Sequence, residues 1–227
     1  MIFGPLHTAN ILTHVAAGSL ALLCGVVALL TPKGGLRHRQ SGRSFLYLLA
    51  IVVMTGLFGV FIFKRNVFLL VITLLSGYLG YSGFRIVKLK NNRPHVVDIA
   101  AAFITLMAAL YFLYYLSKIG MMWSPVVIYS TVGYLILVIA YDLARYVIPA
   151  SYYRNGWLYE HIVKMVSAFS GLLSAFSGTV FPQFQPYSQI LPSVLGTAIY
   201  IGFMIYCYRS RTTYLQKKGP DRDPARF

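Results

Sequence analysis

An all-α bundle of seven transmembrane helices is the fold class this sequence predicts, and three observations carry it. The chain has 227 residues, 58% hydrophobic and only 11% charged, whereas a soluble domain carries charge at about a quarter of its positions. Apolar stretches of about 20 residues, the length a helix needs to cross the hydrocarbon core, recur seven times. Lys and Arg gather between alternate stretches, which is how the positive-inside rule encodes a topology. Lipid offers no partner to a bare backbone, so each stretch must close its own hydrogen bonds as a helix. This composition excludes a soluble enzyme. The formal charge of +15, from 20 Lys and Arg against 5 Asp and Glu, lies between apolar runs and so reports topology rather than nucleic-acid binding.

The first span runs from Asn10 to Leu30, and the basic residues follow it instead of preceding it, unlike a cleavable signal peptide. Gly34-Gly35 then makes a turn, with no phosphate-loop pattern around it. The second span covers Phe45 to Phe63 and the third Val67 to Val87. Arg93-Pro94 starts the fourth, Val96 to Leu116, and Ser124-Pro125 starts the fifth, Pro125 to Tyr146, with Pro149 beyond its end. The sixth, Leu158 to Phe181, stops at Pro182, and the seventh, Ile190 to Tyr208, has no lysine for a retinal Schiff base. Residues 1–208 therefore form the membrane domain. Residues 209–227 read as a basic, disordered tail able to touch anionic lipid. Cys24 and Cys207 lie inside apolar runs and build no disulfide framework.

Small residues mark where helices approach closely in lipid. His14, Gly18, Ala21, Gly25 and Ala28 share one face of the first helix, and Ser76, Gly80 and Gly83 form a row on the third. In the sixth, a seven-residue repeat aligns Ser167, Gly171, Ser174 and Gly178. These seams place helices one and six at the bundle centre, with Leu172 facing lipid. They predict tight packing first and a substrate groove second.

Ionisable groups inside a membrane are costly and informative. Asp98 and His95 open helix four, Asp142 and Arg145 close helix five, and Glu160, His161 and Lys164 open helix six, all near one end of the bundle. Helix dipoles favour Asp98, Glu160 and Arg145 where they stand. Glu160 and Lys164 fall at i, i+4 and Asp142 and Arg145 at i, i+3, so each pair can neutralise itself, while Lys164 and Arg145 can snorkel to the interface. Capping and pairing leave His95 and His161 unexplained. Two histidines at similar depth can ligate a haem or a divalent metal, with Asp98 and Asp142 as further ligands and His38 and Arg43 reaching an anionic group. No HxxxH or HExxH signature accompanies them. The same acids with His161 also suit a proton or ion relay in a transporter or channel. A non-catalytic subunit, scaffold or homo-oligomer needs only the small-residue seams. His14, on the Gly18 face seven residues after His7, reads as an interhelical hydrogen-bonding residue.

Over the first 60 residues, His14 with Gly18, Leu20, Ala21, Leu22, Gly25 and Leu29, then His38-Arg39, Gly42-Arg43 and Tyr47, form a pattern. It resembles a bacterial family of predicted multi-spanning membrane proteins catalogued as a domain of unknown function. Where that family carries His-Arg-Arg-Trp-Met, this chain has His161-Ile-Val-Lys164-Met165. The resemblance implies an integral membrane protein and marks His14, His38, Arg39, Arg43 and His161 as polar positions. It implies no particular activity.

Sixteen of the 20 Lys and Arg fall on one side of the spans and three, Lys64, Arg65 and Lys118, on the other, with Lys164 inside helix six. Trp123 and Trp157 fall at opposite interfaces. In a cell inner membrane this orientation sets the N-terminus outside and the C-terminus in the cytoplasm. A reporter fused after Phe227 is expected to be active only in the cytoplasm, and cysteines placed between Phe181 and Ile190 should label from outside. Labelling of the tail in intact cells would reverse the orientation.

Overall fold

The computed structural model describes residues 3–63, 68–119, 124–149, 153 and 156–218. Among them are seven α-helices and no strand: α1 Phe3–Leu30, α2 Leu36–Phe61, α3 Phe68–Leu89, α4 Val96–Ile119, α5 Pro125–Ala144, α6 Gly156–Val180 and α7 Tyr187–Lys218. Single 3-10 turns follow α5 at Arg145–Val147 and α6 at Pro182–Phe184. All seven helices are long and apolar enough to cross a bilayer, and the chain is an integral, multi-pass membrane protein.

The helices overrun the apolar stretches because hydropathy marks only the part in hydrocarbon, while backbone hydrogen bonding continues into the interface. Thus α1 starts at Phe3, and α2 starts at Leu36, so that Arg37, His38, Arg39 and Arg43 lie in its first turns instead of in a loop. The turn between them has Gly34 at φ 76°, which a side chain would strain. Lys33 folds back to donate to the carbonyls of Ala28, at 3.1 Å, and Leu29, supplying donors for the C-terminus of α1. Partial burial lowers the Lys33 pKa. At the other end of the chain, α7 continues through 209–218, where a disordered tail was expected. Residues 219–227 lie outside the described residues, as do Lys64, Arg65, Trp123 and Arg154.

The centre of the bundle is α3, correcting the expectation that α1 and α6 share it. Over the most apolar part of each span, 56% of α3 is buried against 17% of α1. The reason is placement: α3 packs against α2, α4, α5 and α6, whereas α1 lies against α2 and α6 and turns Leu12, Val15, Leu23 and Leu30 outward. α6 packs on α1, α3 and α7. The shared core contains Leu79 of α3, Phe112 of α4, and Leu135 and Ile139 of α5, all fully buried.

Two glycines set the spacing of α3 and α6. A Cβ at Gly83 would meet the Lys164 Cβ at 3.0 Å and the Met165 Sδ at 3.1 Å. A Cβ at Gly171 would stand 2.8 Å from Ser76 Oγ. The small-residue row of α6 therefore faces protein, as its repeat suggests. Leu172, read as lipid-facing, is instead buried in the core, because α6 has neighbours on more than one side. Phe176 and Val180 are the exposed large apolar residues of this helix. Gly171→Leu is expected to destabilise the protein in detergent by about 1–3 kcal/mol through overpacking, while Phe176→Leu should change thermal stability little. Equal melting temperatures for the two variants would refute the close approach of α3 and α6.

Candidate functional site

Asp98, Asp142 and Glu160 are the chain's only acids before the tail, and all three are buried. An ionised carboxylate in a low-dielectric interior must be matched by a cation and by hydrogen-bond donors. The structure supplies both for each.

The largest group joins the end of α5 to the start of α6. Lys164 Nζ lies 2.5 Å from Asp142 Oδ1 and 3.1 Å from Glu160 Oε2, and Arg145 Nη1 lies 2.7 Å from Glu160 Oε2. Exposure of the four residues is 5% or less. Tyrosines complete the carboxylates. Tyr141 donates to Glu160 Oε1 at 3.0 Å and Tyr153 at 2.5 Å, so Glu160 accepts four bonds. From α3, Tyr78 donates to Asp142 Oδ2 at 2.8 Å. Burial first, and then its bond to the Glu160 carboxylate, push the Tyr153 phenol far above its ordinary pKa, so it stays a donor. Asn92, buried between α3 and α4, donates to the carbonyls of Arg145, at 3.1 Å, and Ile148, and thereby anchors the turn that carries Arg145.

A second group joins α3 to α4. Arg85 grips Asp98 with two bonds, Nε to Oδ1 at 2.7 Å and Nη2 to Oδ2 at 3.1 Å, and Tyr81 donates to Oδ1 at 2.9 Å. Arg85 is partly exposed and so connects this pair to the edge of the bundle.

Between the two groups lies a cavity with about 10 Å³ of space for a water-sized sphere, room for about one water. Tyr78, Tyr81, Ser82, Arg85, Asp98 and Asp142 are among its lining residues, together with Arg145 and Tyr146. Among the described residues, Ser82 Oγ and Arg145 Nε are buried without a hydrogen-bond partner, and both residues line this cavity.

Several sequence-based assignments change here. The i, i+4 pair of Glu160 and Lys164 forms, but Arg145 bonds Glu160 and Asp142 bonds Lys164, crossing between helices where an i, i+3 pair within α5 was expected. Neither Lys164 nor Arg145 snorkels, because each finds buried carboxylates within reach.

His95 and His161 stand in different surroundings. His95 is exposed at the start of α4, a helix packed on α3 and α5, whereas His161 belongs to α6 and is bonded through Nδ1 to the Gly83 carbonyl at 3.1 Å. Asp98 and Asp142 are committed to their ion pairs. Among the described residues no group of three or more His, Cys, Asp or Glu is arranged to hold a metal. His38 donates from Nδ1 to the Ala28 carbonyl at 2.9 Å, and Arg39 and Arg43 are exposed. His14 is the interhelical link expected: its Nδ1 lies 2.8 Å from the hydroxyl of Thr55, which itself donates to the Ile51 carbonyl.

Sequence reading missed Arg85, Tyr78, Tyr81, Ser82, Tyr153 and Asn92. A signal existed for part of this set. Tyr78, Ser82 and Arg85 fall at i, i+4 and i+7, a polar stripe along an otherwise apolar helix. No family model, characterised protein or solved structure matches this chain.

Removing one member of a buried ion group strands its partners. Lys164→Met leaves Asp142 without its cation and should cost about 3–5 kcal/mol, read as thermal unfolding in detergent. Adding Asp142→Asn should return most of that loss. Additive losses in the double variant would show that the two residues do not interact.

Proposed function

We propose that the protein is a proton-coupled membrane transporter whose relay is the buried acid-base network at the basic end of the bundle. One observation carries this reading: two neutral ion groups, each holding a carboxylate, border the same water-sized cavity, which is also lined by the residues of two buried unpartnered atoms, Ser82 Oγ and Arg145 Nε. Apolar residues of similar volume would stabilise these positions as well as ion pairs do, or better, so stability alone does not account for the network. Membrane-embedded acids are typically used to move protons or ions.

The steps follow from the partners present. A water in the cavity bonds to Ser82 and Arg145 and delivers to Asp142 a proton taken from solvent at the partly exposed Arg85–Asp98 edge. Neutral Asp142 then releases Lys164, whose ammonium remains on Glu160. That exchange removes the ionic tie between α5 and Lys164 while Arg145 still holds Glu160, loosening one of the two ionic contacts that bind the α5 end to α6. On the orientation expected from charge, this end faces the cytoplasm. The haem or divalent-metal reading has no comparable geometric support.

A pH jump applied to solid-supported membranes containing the protein should give a transient charge displacement. The double variant Asp142→Asn/Lys164→Met, which keeps the site neutral, should lose it. A transient of undiminished size in that variant, or none in the unaltered protein, would overturn the relay.

A further inference from the structure

The bundle has a second cavity toward the end opposite the ion network. It is a cleft of about 240 Å³, walled by α5 and α7 and floored by α3 and α6. Its polar lining consists of Ser130, Thr131, Ser174, Gln189, Ser193 and Thr197. The rest is aliphatic apart from Gly171 and includes Ile72 and Leu75. α7 packs on α6, and Ser193 and Thr197 of α7 and Ser130 of α5 are exposed, so the cleft opens sideways toward lipid.

Gln189 marks the cleft as more than a packing gap. It is only 8% exposed, yet its side-chain amide has no hydrogen-bond partner among the described residues. An amide offers two donors and an acceptor, and these are available to a molecule in the cleft that Gln189 lines. Gly178 makes room for this side chain: a Cβ there would stand 2.6 Å from the Gln189 Cγ. Beside it, Ser174 and Ser193 bond to each other at 3.0 Å across α6 and α7.

We propose that this cleft binds an uncharged amphiphile drawn from the surrounding lipid, whose hydroxyl or carbonyl groups pair with Gln189 and the neighbouring hydroxyls. The chemistry of the lining sets the class. Among the described residues no ionisable side chain lines the cleft, so a charged head group would be desolvated there without a counter-ion. The aliphatic part suits a hydrocarbon segment. The volume falls just below that of small-molecule pockets, about 300–1,000 Å³, and is too small for a partner helix about 10 Å across. Ser76 lies beneath the cleft, its buried, unpartnered Oγ standing beside Gly171 on the cleft floor. As the substrate site of the proposed transporter the cleft rests on that reading; as a binding site it stands alone.

The test uses the full chain in phosphatidylcholine nanodiscs with a diazirine-bearing monoacylglycerol, and a diazirine-bearing phosphatidic acid as the charged control. Crosslinks from the neutral probe should concentrate on residues 125–131 and 187–197 and be displaced by unlabelled monoacylglycerol. Gln189→Leu should reduce them about fivefold to tenfold, the weight of one hydrogen bond. Ser193→Leu, which fills the cleft from its exposed wall, should reduce them without affecting folding. Equal labelling by the charged probe would overturn the ligand class. Labelling spread evenly over the lipid-facing sides of α1 and α4, or unchanged in both variants, would overturn the site. Labelling that persists in Asp142→Asn/Lys164→Met while the charge transient is absent even from the unaltered protein would refute the relay and leave this site standing.

Discussion

Charge neutrality in a medium that cannot solvate charge is the constraint on which this structure depends. Three acids stand in the apolar bundle, and each is answered by a base from a neighbouring element, Asp98 by Arg85, Asp142 by Lys164 and Glu160 by Arg145, with Lys164 of its own helix also on Glu160. An unpaired charge at such a position would shift its pKa or draw in water. The pairs therefore fix which helices must be neighbours and at what height. α3 is held to α4, and α5 to α6, through contacts that only one register satisfies. The tyrosines turn each pair into a closed set of donors and acceptors, since an acidic oxygen left without a donor would forfeit much of the gain.

The close approach of α3 and α6 makes this matching possible. Glycine at 83 lets the base of the Lys164 side chain lie against α3, and the same residue's carbonyl receives His161. A bulkier residue would push α6 outward and move Lys164 relative to Tyr78 and Asp142, which approach from α3 and α5. Packing and electrostatics thus meet at one contact. The small-residue seams are consumed within the chain, where they allow polar side chains to meet across helices.

The spans were legible in the sequence because hydrocarbon thickness imposes a length and a composition that each segment must meet by itself. Seven apolar stretches correspond one to one with seven helices. The acids and Lys164 were legible too, since a charge in an apolar run stands out wherever its partners lie. Their partnerships were not. Sequence spacing reports neighbours on one helix, so it suggested Asp142 with Arg145; the observed exchange depends on how α5 and α6 face each other, which spacing does not encode. Arg85 was counted among the topological charges, although it lies within α3 and serves Asp98. The central place of α3 was hidden for a similar reason, because α1 shows the longer row of small residues while burial depends on how many helices surround each one.

The crossed pairing of α5 and α6 bears on how the chain enters the bilayer. α5 is synthesised first and carries Asp142 and Arg145, whose cross-helix partners, Lys164 and Glu160, emerge later on α6. Left alone in lipid, α5 can shield its two charges only against each other, through the i, i+3 contact that its own spacing allows. Arrival of α6 exchanges that local pair for two crossed ones. The two segments therefore leave the insertion machinery most favourably as a hairpin.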